Sequence, residues 1–112
     1  MQRDAAMTES EFMSRVDATL EQIEEILDDA ESDLDYESQG GMMTVKCENG
    51  SQIIFTRQPP VKQLWVATRN GGFHFDHDGE QWLRDTDKAP LADVLQAAFL
   101  EQAGESFDFS DI

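Results

Sequence analysis

Apolar residues recur at helical spacing along the first third of the chain. Thr8 precedes Glu11 by three positions, the arrangement of a capping box, in which each side chain bonds the backbone N–H of the other residue and a helix begins. The apolar residues that follow are three or four positions apart, so at about 100° per residue they fall on one stripe. They are Phe12, Val16, Leu20, Ile23, Leu27 and Ala30. This pattern predicts an amphipathic first helix over roughly residues 9–30.

The middle of the chain alternates apolar and polar residues with the period of two that is typical of strands. Glycine pairs and an Asn-Gly dipeptide, the strongest short hairpin signal, separate the alternating segments. A short edge strand is predicted around Leu34 and Tyr36, where the acidic run continues. Further segments follow at residues 43–47, 53–57, 63–68, 73–77 and 81–84. We expect an antiparallel meander of four or five strands.

A second amphipathic stripe follows the meander. Pro90 is suited to the first turn of a helix, and Gly104 is suited to its end. The stripe between them consists of Leu91, Val94, Leu95, Ala98 and Phe99. Two one-sided helices can cover only one face of the sheet, and 112 residues suffice for one domain. The predicted fold is therefore α+β, a two-layer α-β sandwich whose antiparallel sheet is covered on one face by the N- and C-terminal helices.

The chain is strongly acidic, and its acids are unevenly spread. It has 24 acidic and 8 basic residues, a formal net charge of −16. Thirteen of the acids fall within the first 37 residues, where only Arg3 and Arg15 oppose them. Such a surface repels nucleic-acid phosphates and anionic lipids and attracts cations or basic proteins. We therefore expect neither a nucleic-acid nor a membrane partner.

Three further features predict a cytoplasmic protein. No apolar stretch approaches the roughly 20 residues that cross a bilayer. Residues 1–6 are polar and lack the apolar core of a signal peptide. Cys47 is the single cysteine, which excludes an internal disulfide. It alternates with Met43 and Val45 on the apolar side of its strand, so we expect a buried, inert thiol.

Carboxylates crowd the polar side of the first helix. Like charges four positions apart, such as Glu21 and Glu25, each cost a few tenths of a kcal/mol. The run also places anions near the helix C-terminus, where the macrodipole disfavours them. Clustered carboxylate oxygens are the donors that Mg²⁺, Ca²⁺, Mn²⁺ and iron ions prefer. A bound cation, a basic protein partner and a solvated helix face without a ligand all remain compatible with this pattern.

The predicted sheet contributes two more candidates. His74 and His77 are three positions apart on one strand, so they point to opposite faces and cannot clamp one ion. Leu64 and Val66 are expected to pack inward, which leaves Trp65 on the uncovered face among polar side chains. Exposed aromatics ringed by polar groups often mark protein-binding surfaces.

Several motifs together resemble the frataxin family, in particular its bacterial members. They follow an acidic first helix and are Glu48-Asn49-Gly50-Ser51, Arg57-Gln58-x-Pro60, Gln63-x-Trp65-x-Ala67, Gly71-Gly72-Phe73-His74-Phe75-Asp76 and Trp82. The resemblance covers about residues 7–109. Residues 1–6 are then a flexible N-terminal extension, and residues 110–112 are an acidic C-terminal end.

This resemblance implies weak binding of Fe²⁺ and Fe³⁺, with other divalent cations as further ligands. It also implies contacts with the cysteine desulfurase and the scaffold protein of iron–sulfur cluster assembly, made by a monomer that can oligomerise with iron. The implied metal ligands, with Glu21 added from its helical spacing, are Glu21, Glu24, Glu25, Asp28, Asp29, Glu31, Asp33, Asp35 and Glu37. The implied partner surface consists of Thr56, Gln58, Gln63, Trp65 and His74.

The function that we predict is therefore that of an iron-binding protein, not an enzyme. It would regulate cluster assembly, or supply iron to it, through its acidic surface. The alternatives are a ferroxidase or iron-detoxification protein and a metal-independent acidic interaction module. The chain has no Glu-x-x-His motif of the kind that dedicated ferroxidases use, which disfavours the first alternative.

Overall fold

The computed structural model describes residues 8–30, 34–110 and 112. The first helix, α1, spans Glu9–Asp29 and agrees with the predicted bounds. Its capping box is formed as predicted: the Glu11 N–H donates to Thr8 Oγ1 over 3.0 Å, and the Thr8 N–H donates to Glu11 Oε1 over 3.2 Å. These hydrogen bonds from Thr8 lower the pKa of Glu11. The start of α1 is thus fixed locally, in agreement with the sequence pattern.

Six strands form one antiparallel sheet in which each strand pairs with the next along the chain. They are β1 (Asp35–Gln39), β2 (Met42–Lys46), β3 (Gln52–Gln58), β4 (Gln63–Thr68), β5 (Gly71–His77) and β6 (Trp82–Arg84). A 3₁₀ turn at Pro59–Val61 joins β3 to β4. The expected count of four or five strands is wrong, because the first and last segments pair as full members of the sheet.

The second helix, α2, spans Leu91–Ala103 and ends at Gly104, whose φ of 70° is left-handed. Both helices pack on the same face of the sheet, which confirms the predicted two-layer sandwich. Neither helix is long and apolar enough to span a bilayer, within the described part of the chain. The largest fully buried side chains come from both layers and include Phe12, Ile23, Phe55, Leu64, Phe75 and Phe99.

The C-terminal tail completes this core, which the sequence pattern does not predict. Phe107 and Phe109 are buried, and their rings lie 5.4 Å and 5.2 Å from the ring of Phe99 on α2. The proposed division into an extension at residues 1–6, a domain at 7–109 and an end at 110–112 stays a prediction, since residues 1–7 lie outside the described ranges.

Buried hydrogen bonds fix the layers relative to each other. The Trp82 indole N–H donates to Thr19 Oγ1 over 3.0 Å and so joins β6 to α1. Gln102 of α2 is 3% exposed, and its side-chain oxygen accepts from the Arg69 N–H over 2.8 Å. The Gln102 side-chain nitrogen donates to Ser51 Oγ. The Gln102 backbone carbonyl accepts a hydrogen bond from the Asn49 side-chain amide. The Asn49-Gly50 hairpin therefore serves the fold by holding α2.

Candidate functional site

Edge strand β1 lies beside the C-terminal half of α1, and we call the carboxylates of these two segments together the acidic ridge. Within the described residues it consists of Glu21, Glu24, Glu25, Asp28, Asp29, Asp35 and Glu37. Glu24 is half-buried and the other six are exposed. The predicted ligands Glu31 and Asp33 lie outside the described residues. The structure thus places seven of the nine predicted carboxylates on α1 and β1, which meet along one edge of the sheet. Asp35 and Glu37 alternate with Tyr36 and Ser38, so they point to the face of β1 that is turned away from α1.

Two hydroxyl groups of β1 bridge to the helix. The Tyr36 hydroxyl donates to both carboxylate oxygens of Asp28, over 2.9 and 3.0 Å. Ser38 Oγ donates to Glu24 Oε2. Residues two apart on a strand are about 6.6 Å apart, and residues four apart on a helix rise by about 6 Å. The two hydroxyls therefore match the two carboxylates in spacing, and the bridges hold β1 against α1.

These bridges have an electrostatic consequence. The hydrogen bond to Asp28 raises the pKa of Tyr36, and the nearby charges of Asp28 and Glu24 act in the same direction. The sequence pattern alone did not reveal this role of Tyr36 and Ser38. Tyr36 is expected on the edge strand, but the partners of both hydroxyls depend on how α1 docks.

Few basic side chains offset the ridge. Lys46 Nζ lies 3.5 Å from Glu37 on β1. Arg57 Nη1 lies 3.7 Å from Asp17 on α1. The Arg57 side chain also passes over the β1–β2 turn. A Cβ atom on Gly41 would lie 2.2 Å from Arg57 Nε, so any residue other than glycine at position 41 would require rearrangement. Four ridge carboxylates have neither an ion pair nor a side-chain hydrogen bond to another described residue: Glu21, Glu25, Asp29 and Asp35.

Among the described residues, the ridge carboxylates do not form a metal cage. Across residues 8–30, 34–110 and 112, no three His, Cys, Asp or Glu side chains are placed to hold one metal ion together. A cation bound there would keep much of its water, so affinity would be modest and exchange fast.

The uncovered face of the sheet carries the second candidate surface, which we call the Trp65 face. Trp65 stacks on His74 of the neighbouring strand, with ring centroids 4.2 Å apart and planes inclined by 17°. The Trp65 indole N–H donates to Gln63 Oε1 over 3.0 Å. Thr56 and Gln58 line the same shallow cavity of about 130 Å³ as Trp65 and His74. All five residues predicted for this surface are therefore brought together.

The face assignments from alternation are confirmed. Leu64 is fully buried and Val66 is 1% exposed, whereas Trp65 is half-buried on the opposite face. Cys47 is buried, as expected. His74 and His77 lie on opposite faces of β5, and His77 packs edge-on against Trp82 at 4.9 Å. Burial, followed by the charge of Arg15, lowers the pKa of His77.

This protein is an α-β sandwich of the frataxin-like class. Two helices cover one face of its antiparallel sheet, and carboxylates crowd the first helix and the edge strand. A family model described as the frataxin-like domain matches residues 5–105, and the chain belongs to the frataxin family.

Similar proteins agree with this assignment. The chain is 49% identical over 105 residues to the iron-sulfur cluster assembly protein CyaY of Pseudomonas aeruginosa, covering 92% of this chain and 97% of that protein. It is 45% identical over 109 residues to CyaY of Pseudomonas fluorescens, covering 96% and 99%. The structure matches frataxin from Psychromonas ingrahamii with a TM-score of 0.87 at 34% identity, covering 92% and 98%. It also matches trimeric yeast frataxin complexed with ferrous iron, with a TM-score of 0.66 at 26% identity and 94% of each chain.

Proposed function

We propose that the protein binds Fe²⁺ and Fe³⁺ weakly on the acidic ridge and regulates iron–sulfur cluster assembly, or supplies iron to it, by binding the cysteine desulfurase and its scaffold protein. The acidic ridge is the observation that carries this proposal. Its supports are the relatives named as iron–sulfur cluster assembly proteins and a yeast relative crystallised with ferrous iron. The relatives are named for assembly and not for a reaction that they catalyse.

The chemistry of the ridge suits a cargo that must be released. Carboxylates are hard donors that accept ferrous and ferric ions, and the scattered arrangement holds an ion without enclosing it. The unpaired carboxylates Glu21, Glu25, Asp29 and Asp35 also attract a basic protein surface, so iron and a protein partner would compete for them. Binding of the desulfurase should therefore weaken as salt rises.

The Trp65 face supports a second contact, which we assign to the assembly complex. A half-buried tryptophan surrounded by Gln63, Thr56 and His74 has the composition of an interface hot spot with a polar rim. The Trp65–His74 stack holds the indole in one orientation before binding, which reduces the entropy lost on association.

Iron binding is tested by anaerobic titration with ferrous iron while backbone amide shifts are recorded. We expect shifts or broadening confined to residues 20–37. Unchanged spectra at millimolar iron would refute the iron-binding part of the proposal. Sedimentation before and after iron addition tests the predicted monomer and its iron-driven assembly.

Partner binding is tested by charge reversal with a matched control. The double variant Glu25→Lys/Asp29→Lys changes two ridge carboxylates that have no ion pair in the described structure. The control Glu80→Lys/Asp93→Lys makes the same change in net charge at exposed positions in the β5–β6 turn and on α2, away from the ridge. We expect the first variant to lose desulfurase binding and the control to retain it. Equal binding by both variants would refute the ridge as the contact surface.

A further inference from the structure

A groove of about 360 Å³ lies between α2 and the strands at the far end of the sheet from β1. This volume is within the range of about 300–1,000 Å³ that is typical of small-ligand pockets. Phe73 forms part of the sheet side, and Ala97, Ala98 and Val94 form the helix side. The groove exists because the two alanines are too short to fill the space beside the half-buried Phe73 ring.

Both ends of the groove carry a carboxylate. Asp93 lies at the start of α2 and Glu101 lies eight residues later, about 12 Å along the helix. Asp93 has no hydrogen-bond or ion-pair partner among the described residues. The Glu101 carboxylate accepts a hydrogen bond from the Asn70 side-chain amide, which carries no charge. The helix side of the groove is therefore apolar between two carboxylates. The Arg69 guanidinium, which donates to the Glu101 backbone carbonyl over 3.4 Å, leaves that end less negative than the Asp93 end.

Arg84 is the basic residue of the groove lining, and its charge is already balanced. Its Nε and Nη2 donate to the two carboxylate oxygens of Asp87, over 2.9 and 2.7 Å. These bonds hold the pKa of Asp87 at about 2, so Asp87 stays ionised. The guanidinium lies over the Phe73 ring, 5.1 Å from its centroid. Arg84 therefore shapes the groove without making it positive.

We propose that this groove binds linear aliphatic polyamines, with one ammonium group at each end carboxylate and the hydrocarbon chain on Phe73, Ala97 and Ala98. An anion would be repelled by both ends, and a neutral apolar ligand would strip water from the two carboxylates without compensation. A single metal ion cannot reach both carboxylates across two helical turns. A long diammonium satisfies both ends and the apolar floor together. This site is separate from the acidic ridge, so it does not depend on the proposed function.

The test is a titration of the labelled wild-type protein with spermidine, followed by backbone amide shifts. We expect saturable shifts in α2 and around Phe73 at lower spermidine concentration than any shifts on the ridge. Butylamine, which has one ammonium group, and Mg²⁺ should each bind the groove at least about tenfold more weakly, since each loses one charged contact. Shifts that appear on every acidic segment with one common midpoint would show a general counterion and overturn the proposal.

Two variants separate shape from charge. Ala97→Leu fills the groove at constant charge, and Gln96→Leu adds the same side chain at the neighbouring exposed position outside it. Asp93→Asn/Glu101→Gln neutralises both ends, and Glu48→Gln/Glu80→Gln is its control. We expect Ala97→Leu and the Asp93/Glu101 variant each to weaken spermidine binding about tenfold or more, with both controls unchanged. Unaltered binding in either groove variant would overturn the proposal, and the amide spectrum of each variant reports directly whether it is folded.

Discussion

The hydrogen bond between Trp82 and Thr19 should contribute measurably to stability, because it crosses the core and both partners are buried. Trp82 is 2% exposed and Thr19 is 6% exposed, and the indole N–H donates to the Thr19 hydroxyl over 3.0 Å. Thr19→Val exchanges the hydroxyl for a methyl group of similar size and leaves the N–H without its acceptor. An unsatisfied buried donor costs about 1–3 kcal/mol. For a domain of this size we expect the melting temperature to fall by ~4 °C or more.

Urea unfolding followed by far-ultraviolet circular dichroism measures this loss without relying on tryptophan fluorescence. A double-mutant cycle with Trp82→Phe isolates the bond, because Thr19→Val should cost less once the indole N–H is gone. Thr19→Ser keeps the hydroxyl and should lose only about 0.8 kcal/mol for the deleted methyl group. If Thr19→Val is as stable as the wild type, the bond does not hold α1 against β6. The orientation of the acidic ridge would then need another explanation.

Three further predictions follow from the contacts of single side chains. Asp28→Asn should lower the pKa of Tyr36. Alkaline ultraviolet titration reads this pKa directly, because Tyr36 is the only tyrosine of the chain, and an unchanged titration would contradict the α1–β1 bridge. His77 has a lowered pKa, so the unfolded chain takes up a proton first and stability should be lost as pH falls below 6.5. His77→Gln should flatten that slope in urea unfolding, and an equally steep slope would assign it to another group. Phe109→Ala should destabilise the fold by about 3–5 kcal/mol, because the side chain is fully buried against Phe99; a smaller loss in the same assay would show that the tail is dispensable.

The elements that the sequence predicts well are those fixed by local chemistry. The capping box at Thr8 sets the start of α1, and glycine turns set the hairpins, so periodicity is enough to place the helices and most strands. Alternation also places Trp65 on the correct face, because a one-residue shift would bury its polar neighbours. These features need no knowledge of distant contacts.

The features that escaped prediction all depend on tertiary docking. The strand count is one such feature: the segment predicted at residues 81–84 is short, and only its pairing with β5 makes β6 a full member of the sheet. Phe107 and Phe109 stand in an acidic tail, and only the position of Phe99 explains their burial. The bridges from Tyr36 and Ser38 similarly require β1 to lie beside α1. Sequence spacing alone cannot supply such distances.

The acidic ridge and the Trp65 face are close enough for one assembly partner to touch both. Trp65 lies on β4, three strands from the ridge strand β1, which is about 14 Å across the sheet. A standard interface covers about 800 Å² on each partner, which is ample for that span. Exposed ridge charges act at long range and govern encounter, whereas a packed aromatic contact acts only after docking.

The two surfaces should therefore affect different rate constants for binding to the desulfurase–scaffold complex. Glu25→Lys/Asp29→Lys should slow association and flatten its salt dependence, because it removes electrostatic attraction before contact. Trp65→Ala should leave association nearly unchanged and accelerate dissociation, because it removes contact area formed after docking. Surface plasmon resonance at several salt concentrations measures both constants. If Trp65→Ala slows association as strongly as the charge reversal, the two surfaces do not divide the binding process in this way.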